Sequence, residues 1–324
     1  MTMSPHATLA YKTTAAGQDI YLDVYTPSTS TKSPVPVLVW FHIGGLTFGG
    51  RADGLFPSWL LAAAQKEGWI LVSPDYRLLP EANIDEILSD VKDVWSYVHT
   101  QLNGELSKRN LTPARLTDAF VGGASAGGYL AWQAGHLVSP TPKAVVTIYG
   151  YGFDHPSFFR TAQPADGTFG SIKFNAALAH RDALDKVLAN RSNGPQLTSA
   201  PWTGDWDERA YLLAYLVATG RYFSTVFGEK YTAPSSDPAV AYLWPSQSIT
   251  PAFPPTLLVH GTADSIAPYS ESEGIAGVLA EKGVAHELVG VPGQEHLFDL
   301  FDATPGVDDV RTKVVAFLAA RVGV

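Results

Sequence analysis

A chain of 324 residues with 46% apolar and 16% charged residues has ample material for a large core and too little charge for disorder. Its formal charge of −9, with 22 Lys and Arg against 31 Asp and Glu and no basic block, argues against nucleic acid or an anionic membrane surface as a partner. The absence of cysteine excludes a disulfide scaffold, a thiolate nucleophile and thiolate metal sites.

No apolar run reaches the ~18 residues of a spanning helix, and the first residues lack a basic then apolar leader. The expectation is a soluble, cytoplasmic protein with no membrane span.

The elements alternate. Residues 19–26 alternate apolar and polar side chains, as a half-buried strand does. Residues 35–43 form a continuous apolar run ending at Gly44-Gly45, and 69–74 form another. Runs of this kind suit strands covered on both faces. Residues 84–102 keep an apolar stripe at helical spacing, with Asn83 and Glu86 placed for a capping box. A short strand is expected at 119–122, followed at once by a helix through Leu130, Ala131, Ala134 and Leu137. Further strands are expected at 144–149, 256–260 and 286–291. Helices are expected from Ser270, with Ser270 and Glu273 as its cap, to about Lys282, and over 305–321, opened by Pro305. This order predicts an α/β fold with a mostly parallel central sheet flanked by helices.

Residues 151–250 interrupt the rhythm and hold 16 of the 37 aromatic residues. They read as a helical lid or cap insertion, with 1–150 and 251–324 as the core. Trp202, Trp206, Tyr211, Tyr215, Phe223 and Phe227 are its candidate pocket walls.

The chemistry centres on Gly123-Ala124-Ser125-Ala126-Gly127, a G-x-S-x-G with a predicted strand before it and a helix after it. The pattern alone arises by chance in about one chain in ten of this length, so its strand–helix setting carries the weight. A serine needs a base, and the base an orienting acid. Of nine histidines, His296 lies in the loop after the last predicted strand. Asp264 lies just past the strand ending at His260, and Glu271 and Asp299 are the competing carboxylates. The N–H groups of Ala126 and of the Gly44-Gly45 loop are candidate donors to a developing oxyanion. No metal-ligand spacing and no phosphate loop occurs, so no cofactor or metal is expected.

These pieces resemble the α/β-hydrolase superfamily, and within it the hormone-sensitive-lipase-like esterases. The resemblance rests on His42-Ile43-Gly44-Gly45, Asp75-Tyr76-Arg77-Leu78-Leu79-Pro80-Glu81, the serine motif, and His260-Gly261-Thr262-Ala263-Asp264 with His296. It implies an α/β-hydrolase fold, Ser125 as nucleophile, Asp264 as acid, His296 as base, an oxyanion hole at Gly44, Gly45 and Ala126, and a structural role for the segment from Asp75 to Glu81. Two positions depart from the family pattern. Ile43 replaces the first glycine of His-Gly-Gly-Gly, and Ala124 precedes the serine where other subfamilies carry Asp or Thr. The function expected is hydrolysis of a small-molecule carboxylic ester through an acyl-enzyme. The alternatives are a lactonase, an arylformamidase-like amide hydrolase, a cyclising or acyl-transferring biosynthetic enzyme, and a non-catalytic receptor on the same fold. The sequence leaves a homodimer open.

Overall fold

The apolar runs of the sequence become the middle of one eight-stranded sheet. The structure, a computed structural model, describes residues 4–29, 31–154, 156–170, 172–190, 195–202, 204, 207–228, 231 and 233–323. The first half of the chain runs β1 (Ala7–Thr13), β2 (Asp19–Tyr25), β3 (Val35–Phe41), α1 (Ser58–Glu67), β4 (Ile70–Pro74), α2 (Ile84–Thr100), α3 (Leu102–Lys108), β5 (Ala114–Ala124), α4 (Ala126–Leu137) and β6 (Val145–Ile148). A region of short elements follows: α5 (Pro156–Arg160), β7 (Thr168–Phe169), β8 (Ile172–Lys173), α6 (Phe174–Ala179), α7 (Arg181–Ala189), α8 (Glu208–Ala218), α9 (Tyr222–Phe227) and α10 (Pro245–Ser248). The chain ends with β9 (Thr256–Gly261), α11 (Ser270–Glu281), β10 (His286–Val291) and α12 (Val307–Ala319).

The strand order is β1-β2-β4-β3-β5-β6-β9-β10. The pairs β1–β2 and β2–β4 are antiparallel and the other five are parallel. Because strand side chains alternate between faces, one strand feeds two cores. In β3, Val37, Val39 and Phe41 join the core under α2, α4 and α11. Leu38 and Trp40 join the opposite one, under α1 and α12. The continuous apolar character of residues 35–43 therefore reflects burial on both faces.

Several local expectations need correction. The capping box forms: Asn83 Oδ1 accepts from Glu86 N at 3.0 Å and Glu86 Oε2 from Asn83 N at 2.9 Å. The helix it opens stops at Thr100, though, and α3 starts afresh at Leu102. Helix α11 does start at Ser270, but neither Ser270 nor Glu273 caps it; the N-cap is Tyr269, with no side-chain cap bond. Helix α12 begins at Val307 rather than Pro305, because Gly306, in the left-handed region at φ 75°, is its N-cap. Strand β5 reaches back to Ala114, with its register broken between Val35 and Val37 of β3. Buried Asp118 in this stretch takes Lys143 and Arg115 as ion partners, a polar strand segment that apolar patterning does not flag.

The 151–250 region is tied to the loops beside it. Arg209 of α8 donates to Thr47 O at 3.1 Å, Leu79 O at 2.9 Å and both carboxylate oxygens of Glu81 at 3.0 and 2.8 Å. Gly49 and Ala200 form an isolated antiparallel bridge. The segment from Asp75 to Glu81 is a polar brace: Asp75 pairs with Arg51, and Arg77 donates to Asp90 and Glu86.

Candidate active site

Ser125 sits between β5 and α4 with φ 54° and ψ −125°, a conformation that non-glycine residues rarely adopt. The surrounding glycines make this turn feasible. A Cβ on Gly123 would collide with the Gly127 carbonyl, and one on Gly127 with the Phe41 carbonyl. On Gly128 it would come within 2.6 Å of Gly150 Cα. The Ser125 N–H donates to Ile148 O at 2.9 Å, and its carbonyl accepts from Gly128 N at 2.9 Å. The strained turn is thus held by the neighbouring strand and by the first turn of α4.

The structure brings Asp264 and His296 together from the loops after β9 and β10. His296 Nδ1 lies 2.7 Å from Asp264 Oδ2, with both side chains almost fully buried. The other Asp264 oxygen accepts from the N–H groups of Ile266 and Ala267, each at 2.8 Å. Burial alone would raise the Asp264 carboxyl. The facing His296 and the hydrogen bonds from His260 and His296 outweigh it and hold the carboxyl well below its ordinary range. An ionised carboxylate only accepts, so the proton sits on His296 Nδ1 and the lone pair is left on Nε2. His260 is a second imidazole on the same carboxylate. Its Nε2 lies 3.3 Å from Asp264 Oδ2 and 2.8 Å from Ala267 O, and its Nδ1 lies 2.7 Å from Ser272 Oγ. The competing carboxylates have other tasks: Glu271 accepts from Asp154 N at 3.1 Å, and buried Asp299 accepts from Tyr149 Oη and from Trp59 Nε1 at 2.9 Å.

The Gly44-Gly45 loop is clamped from behind. His42 Nδ1 lies 2.7 Å from Ile43 O, and its ring stacks on Tyr76 at 4.1 Å with 8° between planes. Tyr76 Oη donates to His42 O at 2.9 Å. Burial pulls the His42 imidazole down to about 4, so it is neutral and its Nδ1–H donates to the carbonyl. Fixing the Ile43 carbonyl fixes the peptide plane whose other side is the Gly44 N–H. The glycines take φ 118° and 59°. The Gly44 carbonyl accepts from Thr47 N and Phe48 N, and the Gly45 carbonyl from Tyr222 Oη at 3.0 Å. Among the described residues, the N–H groups of Gly44, Gly45 and Ala126 have no acceptor within the protein.

Ser125, His296, Gly44 and Gly45 line one cavity of about 380 Å³. Its walls are apolar: Ile43 and Phe48 from the glycine loop, Phe169, Trp202 and Leu213 from the 151–250 region, and Ile266 from the loop after β9. No Asp, Glu, Lys or Arg lines it among the described residues. Of the six aromatic residues expected as walls, Trp202 is there and Trp206 lies outside the described residues. Tyr215, Phe223 and Phe227 are core, and Tyr211 packs on His180. Sequence reasoning missed Phe48, Phe169 and Tyr151. Tyr149 and Tyr151 follow a strand adjacent to the serine's own, which is the one signal that could have singled them out.

With the turn at Ser125, the Asp264–His296 pair and the sheet in place, the fold class is that of the α/β hydrolases. The family model described as alpha/beta hydrolase fold matches residues 38–203, just over half of the chain, and the chain belongs to that family. A model of the prolyl oligopeptidase family matches residues 213–323. Among curated relatives, "Probable carboxylesterase M8" of Phoma sp. is 30% identical, over 83% of this chain and 81% of its own length. "Non-reducing polyketide synthase Preu6" of Preussia isomera is 27% identical over 90% of this chain. "Non-reducing polyketide synthase ascC" of Acremonium egyptiacum is 29% identical over the same share. The chain spans only 14% of either synthase. Among solved structures, a Staphylococcus aureus protein of unknown function superposes with TM-score 0.70 at 20% identity, covering 97% of this chain and 98% of that one. An acetyl ester-xyloside bifunctional hydrolase from Caldicellulosiruptor lactoaceticus gives 0.62 at 17% identity, covering 99% and 98%. Both likenesses establish the fold.

Proposed function

We propose that this protein is a serine hydrolase of carboxylic esters, with Ser125 as nucleophile, His296 as base and Asp264 as the acid that orients it. The observation that carries the reading is the meeting of three features at one apolar cavity: Ser125 on a strained elbow, His296 held 2.7 Å from Asp264, and the uncommitted N–H groups of Gly44 and Gly45. The family relative named as a probable carboxylesterase supports it.

In the mechanism, His296 Nε2 takes the Ser125 proton as Oγ attacks the ester carbonyl. The oxyanion is received by the N–H groups of Gly44, Gly45 and Ala126. His296 then gives the proton to the departing alcohol, leaving an acyl-Ser125. Water, deprotonated by the same imidazole, releases the carboxylic acid. Ser125 Oγ and His296 Nε2 are not hydrogen-bonded among the described contacts. Such a serine–histidine hydrogen bond can form only once substrate is bound. Cavity walls without formal charge favour an uncharged ester, since a substrate carboxylate or ammonium there would be desolvated without a partner.

The test is hydrolysis of p-nitrophenyl esters from acetate to dodecanoate by wild type and Ser125→Ala. The reading expects activity on part of the series and a loss of at least ~10³-fold in the variant, which remains folded. Retained activity in Ser125→Ala removes the serine from its role.

A second reading, acyl release on a polyketide-type substrate, is favoured by the two synthases that match 90% of this chain. Hydrolysis in H₂¹⁸O separates the two. One ¹⁸O in a released acid marks hydrolysis, whereas a cyclised or transferred acyl product without it marks the synthase-like course.

A further inference from the structure

His260 is fully buried near the end of β9, and neither the proton transfers nor the oxyanion donors use it. Its Nδ1 lies 2.7 Å from Oγ of Ser272, a fully buried residue of α11. Its Nε2 lies 2.8 Å from Ala267 O and 3.3 Å from Asp264 Oδ2. A lone pair on Nε2 would face both of these acceptors. The proton therefore sits on Nε2 and is donated to the Ala267 carbonyl, and in the neutral ring Nδ1 accepts from the Ser272 hydroxyl. Ala267 in turn donates its N–H to Asp264 Oδ1 at 2.8 Å, and Asp264 Oδ2 faces His296 Nδ1 at 2.7 Å. A run of hydrogen bonds thus leads from α11 through His260 and Ala267 to Asp264 and His296. Tyr269 packs edge-to-face on the His260 ring, with centroids 5.7 Å apart and 88° between planes.

We propose that His260 is a positioning residue for the Asp264–His296 pair. Its bond to Ala267 O holds the turn that orients the carboxylate, and its Nε2–H edge beside Oδ2 offsets part of the charge that His296 faces. This rests on Ser125 being the nucleophile and His296 its base. The shared carboxylate has a consequence for that base. A carboxylate facing His296 alone would stabilise the imidazolium more strongly and raise its proton affinity, so the base would stay protonated to higher pH. With His260 in place, His296 frees Nε2 at lower pH. Other ionisable groups also surround the pair. Tyr149 and Tyr151 lie 4.3 and 6.4 Å from the His296 ring, and burial raises both phenols above their ordinary range, so they are neutral. Asp299 accepts from Tyr149, Glu295 from Ser265 N and Oγ, and Glu271 from Asp154 N. A substitution at 260 leaves all of these in place.

The test needs no natural substrate. A fluorophosphonate probe reacts with an activated serine in one step, so its labelling rate against pH reads the nucleophile and its base. Wild type is expected to label at a rate that rises with pH to a plateau, and Ser125→Ala not to label. Labelling of Ser125→Ala at the wild-type rate defeats the nucleophile assignment itself. His260→Met fills the space and removes both ring nitrogens. Its plateau is expected to fall about tenfold, the scale of one lost polar contact to a charged group, and its midpoint to move up by about one pH unit. His260→Gln carries an amide N–H to the place of Nε2 and cannot titrate; it is expected to recover most of the rate, with the wild-type midpoint. Lost packing slows labelling without moving the midpoint. Equal midpoints in the two variants therefore overturn the proposal while leaving Ser125 and His296 in their roles. A second reading uses wild type alone. With ¹⁵N-labelled histidine, the His260 side chain is expected to carry its proton on Nε2. A proton on Nδ1 alone overturns the proposal even if His260→Met proves unfolded.

Discussion

At the scale of single residues, Gly45 shows how much of the site depends on the absence of one carbon. Its φ of 59° strains any side-chain-bearing residue, and an added Cβ would run into the Leu213 side chain. Gly45→Ala is therefore expected to lower kcat about 100-fold, the scale of a lost oxyanion donor, with a smaller change in KM. Leu213→Ala in the same chain makes room and should recover part of the loss but not the strain. A double-mutant cycle on kcat/KM reads the coupling, and purely additive losses contradict the collision. The triad candidates were legible in the sequence because each carries a local mark. Ser125 lies between glycines at a strand–helix junction, and Asp264 and His296 lie in loops just past strands. Tyr151 and the His260–Asp264 contact carry no such mark. They arise only when β6, β5 and β9 lie side by side.

At the scale of elements, the capping box at Asn83 is the clearest case of sequence dictating a start. Asn83→Ala removes the acceptor for Glu86 N and is expected to cost about 1 kcal/mol, read as a lower urea midpoint at unchanged slope. Element ends were less legible. The proline signal misplaces the start of α12, which begins after a left-handed glycine, whereas α11 does start at Ser270 but has no side-chain cap at all. Helix α8 shows what sequence patterning could not reach: its Leu213 packs on Gly45, and Arg209 ties it to Thr47, Leu79 and Glu81. Both partners of the Arg209–Glu81 pair are less than one-sixth exposed, so removing the cation leaves a mostly buried carboxylate unpaired. Arg209→Met is expected to lower the melting temperature and, by loosening the loop that carries Gly44 and Gly45, to reduce kcat/KM about tenfold. A variant as active and as stable as wild type would show that the tie is incidental.

At the scale of the whole molecule, stability against pH sums opposing groups, and the signs can be separated. Burial pulls His42 down to about 4; burial, and then Lys92, do the same for His136. An unfolded histidine titrates near 6.5, so between about 6.5 and 4 the unfolded chain binds more protons at these two positions. Stability therefore falls as the pH falls through that window. Asp75 acts in the opposite sense. Burial raises it to about 6 despite Arg51, so between about 6 and 4 the folded chain binds the extra proton and gains stability as the pH falls. The slope for wild type is a sum of both and identifies neither. A difference between two proteins isolates one group. His136 lies 2.6 Å from Gln133 Oε1, in a partly buried contact outside the lining of the Ser125 cavity, and His136→Gln removes its titration while leaving Asp75 and His42 untouched. The stability advantage of wild type over His136→Gln is expected to shrink by about 2–3 kcal/mol between pH 7.5 and 4.5, the amount that a folded value near 4 against an unfolded value near 6.5 requires. Urea unfolding at the two pH values measures it. A difference that stays constant would mean that His136 keeps its ordinary proton affinity in the folded protein, and that burial of its ring is relieved by access of water to the end of α4.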